Sequence, residues 1–183
     1  VSVAATDPPK IGNKLGGDLA IPAQTPSNLD PVGAMHIPIG MPNSLDSLKT
    51  FVEAEGSFSP GVGSFGISFW VYDAAERKLW SPTMENVSHR HGLSDGRALI
   101  PWSQWSAGGV LVRTEVCEVK RDVDSAVSYL VGARATLSNP TDATKRLALY
   151  VALRPLGPAG NAVTDLAASD EGDALLVDGH SSL

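Results

Sequence analysis

The sequence predicts an all-β protein: an antiparallel two-sheet β-sandwich with an irregular proline-rich N-terminal arm and one short helix. Three observations carry that prediction. From Gly61 onward, apolar residues recur at every second position, the period of a strand with one face on a core. Short turn-forming clusters, not helical segments, separate the long runs, so a parallel sheet with helical crossovers is not expected. The 18 Gly and 13 Pro suit many short strands joined by turns.

The arm comes first. Between residues 1 and 60, Pro8, Pro9, Pro22, Pro26, Pro31, Pro38, Pro42 and Pro60 interrupt every apolar run. Proline lacks a backbone donor and fits neither helix interiors nor central strands, so an extended arm lying on the domain is expected there. The exception is 44–55, where Asn43 or Ser44 can cap a helix and Leu45, Leu48 and Val52 fall at helical spacing. The sandwich domain is expected to fill residues 61–183.

Within it, Phe65, Ile67, Phe69 and Val71 form one strand face, and Val110, Val112, Thr114 and Val116 a second. Val127, Tyr129, Val131, Ala133, Ala135 and Leu137 form a third, and Leu147, Leu149, Val151 and Leu153 a fourth. Asp122–Ser125 and Asn139–Asp142 carry turn-favouring residues between the last three runs, which predicts a meander. Shorter strands are expected at Lys78–Ser81, Ala98–Trp105 and Ala174–Val177. The opposite faces carry Trp70 and Tyr72 on one run and Ala148, Tyr150 and Ala152 on another. A freely solvated face would carry more Lys, Glu and Thr, so these faces are expected to be covered, by the N-terminal arm or by something absent from this chain.

Composition narrows the function. A formal net charge of −6, with scattered basic residues, argues against a nucleic-acid partner. No stretch approaches the length of a membrane span. Cys117 is the single cysteine, which rules out an internal disulfide. No signal peptide precedes the domain as given, which leaves the compartment open.

No complete catalytic site or cofactor motif is legible. Gly61-Val-Gly-Ser-Phe-Gly66 matches the dinucleotide pattern, but Pro60 precedes it and a strand follows where a helix is needed. His89 and His91 would share a strand face and are weak metal candidates. A third ligand is missing, since Asp95 and His180 are not tied to them by spacing, and Asn86–Gly96 reads as a polar loop. Cys117, with Glu115 and Val119 on its face and Arg113 nearby, has no neighbouring histidine base and reads as a half-buried structural thiol. Glu53/Glu55, Asp122/Asp124 and Asp170/Glu171/Asp173 are the carboxylate clusters, and none declares a pair across a cleft. Trp70, Tyr72, Trp80, Trp102 and Trp105 are the tentative carbohydrate-binding residues, because aromatic rings stack on sugar faces. The competing reading makes them core and interface.

Phe65-Gly-Ile-Ser-Phe-Trp-Val-Tyr-Asp73, Lys78-Leu-Trp-Ser-Pro82 and Ile100-Pro-Trp-Ser-Gln-Trp105 look like the opening strands of a sandwich. With Ala133-Arg-Ala-Thr-Leu-Ser-Asn-Pro140 and Leu147-Ala-Leu-Tyr-Val-Ala-Leu-Arg-Pro155, the stretch from Phe58 to Leu183 resembles the N-terminal β-supersandwich of bacterial six-hairpin glycoside hydrolases. The resemblance implies a partner (α/α)6 barrel that carries the acid and base carboxylates and is missing from this chain. It transfers no catalytic residue, and the ending Asp178-Gly-His-Ser-Ser-Leu183 then reads as a truncation or a chain boundary. The expected function is a non-catalytic sandwich domain of a carbohydrate-active enzyme. The alternatives are a free-standing carbohydrate-binding module and a structural sandwich that binds another protein.

Overall fold

The protein is described by a computed structural model covering residues 36–40, 45, 48–84, 87–94, 99–123, 126–155, 157–158, 163–171, 174–178 and 180–181. Their regular structure is all strand. In chain order these are β1 (His36–Ile39), β2 (Thr50–Glu53), β3 (Phe58–Ser59), β4 (Gly66–Asp73), β5 (Lys78–Trp80), β6 (His89–Leu93) and β7 (Pro101–Ala107). There follow β8 (Val110–Val123), β9 (Ala126–Ser138), β10 (Leu147–Arg154), β11 (Leu166–Ala168), β12 (Leu175–Val177) and β13 (His180–Ser181).

Two antiparallel sheets face each other. The larger has the order β1-β2-β3-β4-β10, with β5 also paired to β4, and the smaller the order β6-β7-β8-β9. A third sheet of β11, β12 and β13 adds Val177 to the core. Ile39, Val52, Phe58, Ile67 and Phe69 of the larger sheet meet Val116 of the smaller in one part of the interior. Val71 meets Trp105, Ala107 and Val112 in the other. The period-two faces therefore point inward as the sequence predicts, and burial of these side chains drives the two sheets together.

Three expectations are corrected. The helix expected at 44–55 is not formed where the chain is described. Leu48 closes a single turn onto the Leu45 carbonyl, and Thr50–Glu53 is a strand. The helical spacing of Leu45, Leu48 and Val52 loses to a β-branched and aromatic run, Thr50-Phe51-Val52, that finds partners on both sides. The irregular arm also ends earlier than residue 60, because β1, β2 and β3 are integral to the larger sheet and bury Ile39, Val52 and Phe58. Pro38 sits on β1, the edge of that sheet, where a missing donor is tolerated.

The third correction concerns the meander. β8 and β9 form the long hairpin expected, but β10 leaves it and pairs with β4 of the other sheet. The Asn139–Arg146 connection makes the crossing. Asn139 Oδ1 accepts the Thr141 N–H at 3.1 Å and its hydroxyl at 2.7 Å, and Asn139 Nδ2 donates to the Ala143 carbonyl at 2.7 Å. Beyond this turn, Lys145 Nζ donates to Asp73 Oδ2 at 3.1 Å and to the Gly108 carbonyl at 2.9 Å, and the Ala74 N–H donates to the Arg146 carbonyl. These bonds gather at the first pair of the β10–β4 ladder, Leu147 opposite Asp73, from which the register runs to Arg154 opposite Gly66.

Candidate functional site

A concavity lies on the outer face of the smaller sheet. Register builds it. Gly92 on β6 is opposite Trp102 on β7, Trp102 is opposite Glu115 on β8, and Glu115 is opposite Arg134 on β9. Directly opposed residues share a face, so these four form one row across all four strands. Cys117 and Gly132, themselves an opposed pair, lie beside it, and Leu93, Ser94 and Ile100 rise from the β6–β7 side. The resulting groove has a volume of about 780 Å³.

Its charges are tied together. Arg134 donates to Glu115 Oε2 through Nε at 2.9 Å and Nη2 at 2.5 Å, and Arg113 Nη2 donates to Oε1 at 3.3 Å. The Arg134 hydrogen bond, helped by Arg113 against the opposing effect of burial, holds the Glu115 carboxyl below the ordinary glutamate range. The Arg113 guanidinium also stacks over the Trp102 ring, 4.3 Å from its centroid. Gly92 makes room for that ring: a Cβ there would stand 2.9 Å from Trp102 Cζ2.

A second feature is an apolar seam along one open side of the sandwich, between the edge strands β9 and β10. Leu149 and Val151 share the inner face of the larger sheet with Val71 and Phe69, yet they are 41% and 48% exposed. Tyr129, Val131 and Ala133 of β9, with Phe58, Phe65 and Val151, line a cleft of about 510 Å³ there.

The five aromatic residues singled out in the sequence do not form one surface. Trp105 and Tyr72 are buried, at 2% and 1% exposure. Trp80 faces inward opposite Val71, packs against the second part of the core and carries the Lys78 ammonium 3.7 Å from its ring. Trp70 stands opposite Tyr150 on the outer face of the larger sheet, with Arg154 5.9 Å from its ring. Only Trp102 belongs to the groove. Tyr150 itself is raised above the usual tyrosine value by burial, with a smaller contribution from Tyr72.

His89 and His91 lie on strand β6, not in the polar loop expected at 86–96, because β6 pairs along its length with β7. Both are exposed. Among the described residues no three His, Cys, Asp or Glu side chains gather as a metal site; Asp95 lies outside those residues, and His180 sits on β13 of the third sheet. Gly61–Gly66 forms a turn with positive φ at Gly61 and Gly63 and leads directly into β4. Of the carboxylate clusters, Glu53 and Glu55 are buried, Glu53 Oε1 lying 2.7 Å from His36 Nδ1 and Glu55 Oε1 accepting from the Ser57 hydroxyl at 2.6 Å.

Period two alone puts Arg113, Glu115 and Cys117 on one face; Gly92, Gly132 and Arg134 join Trp102 there only through pairing between strands. Comparison with protein-family models, curated proteins and solved structures returns no match.

Proposed function

We propose that this chain is a non-catalytic β-sandwich domain of a carbohydrate-active protein, and that it supports a separate catalytic domain docked on its open seam. The observation that carries the docking role is the exposure of Leu149 and Val151 on the inner face of the larger sheet. Inner-face side chains of a completed sandwich are buried, and long edge strands, as β9 and β10 are among the described residues, are normally covered or blunted. The association with carbohydrate chemistry rests on the sequence resemblance to glycoside hydrolase supersandwiches, and the partner that it implies is an (α/α)6 barrel.

Hydrogen exchange tests the proposal. In a longer protein that includes the partner domain, amides of β10 and β9 should exchange more slowly than in the isolated chain. Equal exchange in both would remove the docking role. The coding sequence beyond Leu183 tests the enzyme association: a long α-helical region supports it, and an immediate stop codon counts against it.

The carbohydrate-binding module remains the second reading, and one observation favours it. Trp102 lies in a groove with charged and hydroxyl side chains, although no second tryptophan joins it to form a paired platform.

A further inference from the structure

We propose that the outer-face groove of the smaller sheet binds a carboxylate-bearing sugar residue, with Arg113 and Arg134 holding the carboxylate and the Trp102 indole forming one wall. The groove meets the seam at Ala133 of β9, but the inference does not depend on docking there: Arg113, Arg134 and Trp102 lie on the outer face of the smaller sheet, and Leu149 and Val151 on the inner face of the larger.

Charge is the first argument. The chain as a whole carries a formal −6, yet the groove holds two guanidiniums against one carboxylate. That leaves one net positive charge in a concavity, which suits a monoanion such as a carboxylate better than a phosphate dianion. Geometry is the second. Glu115 uses two of the five N–H groups of Arg134 and one of those of Arg113, so most of each fork is left over from that carboxylate. Being held by Glu115, and in the case of Arg113 by the ring of Trp102, the forks are pre-organised and lose less freedom when an anion binds.

The remaining lining fits a polyhydroxylated ring. Ser94 and Glu115 can exchange hydrogen bonds with hydroxyl groups, and Trp102, Leu93 and Ile100 supply apolar surface. Gly132 adds no side chain beside Cys117, and a Cβ built there would come within 3.3 Å of the Cys117 sulfur. A groove of about 780 Å³ lies in the size range of small-ligand sites.

Cys117 provides the test, because it is the chain's single cysteine and lines the groove. Its alkylation by iodoacetamide is followed in the presence of trigalacturonate, of the fully methyl-esterified trimer, and of inorganic phosphate. Trigalacturonate should slow alkylation in a saturable way, while the ester and phosphate protect about tenfold more weakly or less. Arg134→Gln should weaken protection about tenfold, with Arg134→Lys, which keeps the charge and loses the fork, lying between. Arg134 is 74% exposed along its side chain, so its replacement leaves folding intact, as circular dichroism will register. Trp102→Phe should abolish any fluorescence change that trigalacturonate produces. Absence of protection at about 10 mM trigalacturonate overturns the proposal. So does equal protection by the ester, which would make the groove a neutral-sugar site, or by phosphate, which would make it a general anion site.

Discussion

Val151 and Phe69 stand opposite each other across the β10–β4 ladder with both side chains on the inner face, yet Phe69 is 8% exposed and Val151 48%. The two residues differ by one strand, not by face. Phe69 belongs to the interior formed where the two sheets meet. Val151 lies beside a cleft that Tyr129, Val131 and Ala133 approach from β9 without closing. The apolar alternation of β10 is thus fully written in the sequence and only half used by the chain.

That asymmetry sets the first prediction. Phe69→Ala should cost about 3–5 kcal/mol in urea denaturation, the usual range for emptying a buried aromatic site. Val151→Lys should change stability by no more than about 0.5 kcal/mol, as expected of an exposed position. It should also reduce binding of a hydrophobic dye to the isolated chain. A large loss of stability on Val151→Lys would mean that the seam is closed in solution.

Gly92 gives the second. Replacing a strand glycine with alanine normally stabilises slightly, because the unfolded chain loses freedom. Here the new Cβ would stand 2.9 Å from Cζ2 of Trp102, closer than real contacts allow. Gly92→Ala should therefore destabilise by about 1–3 kcal/mol, the range for overpacking. In a double-mutant cycle, Trp102→Ala should relieve most of that cost. Additive losses would show that ring and glycine do not touch.

The third prediction concerns the crossing between sheets. Asn139→Ala removes the acceptor of the Thr141 N–H and the donor to the Ala143 carbonyl. Because the turn is solvent-exposed, the loss should be about 0.5–1.5 kcal/mol, seen as a lower urea midpoint with an unchanged slope.

How much of this was legible depended on whether local or non-local pairing decided it. The inward faces of β4, β8, β9 and β10 follow from period two alone. Two turn signals also fix the row that builds the groove. Gly108-Gly109 joins Ala107 to Val110 with positive φ at both glycines, and this sets Trp102 opposite Glu115. The hairpin end, where Val123 pairs with Ala126, sets Glu115 opposite Arg134. Arg134 could have been found by counting back from that turn. The destination of β10 could not, because the Asn139–Asp142 turn looks like a hairpin turn. What the turn does not show is the pairing of β10 with β4, at the start of which Lys145 reaches Asp73, 72 residues earlier in the chain. The strand at Thr50–Glu53 was hidden in the same way, since its partners come from both sides in sequence and its apolar spacing imitates a helix.

The Asp73–Lys145 bridge should be visible in the pH dependence of stability. Burial pushes the Asp73 carboxyl up, but the hydrogen bond from Lys145 and the N–H groups of Glu76 and Ala75 outweigh it and hold the group below its ordinary value of 3.8. A carboxyl lowered in the folded state contributes stability that is complete above the unfolded value and drains away as pH falls through the folded one. Lys145 is raised above its ordinary 10.5, chiefly by its hydrogen bond to Asp73. Its contribution is complete below that value and is lost as pH climbs through the higher folded one. Asp73→Asn keeps an oxygen for the two N–H groups and removes the charge. It should flatten the loss of urea midpoint below about pH 4 and also the loss at the alkaline end. Glu115, likewise lowered, leaves a residual acid slope that Glu115→Gln should remove separately. An acid slope in Asp73→Asn equal to that of the unchanged protein would show that the bridge at the start of the β10–β4 ladder does not carry its charge into stability.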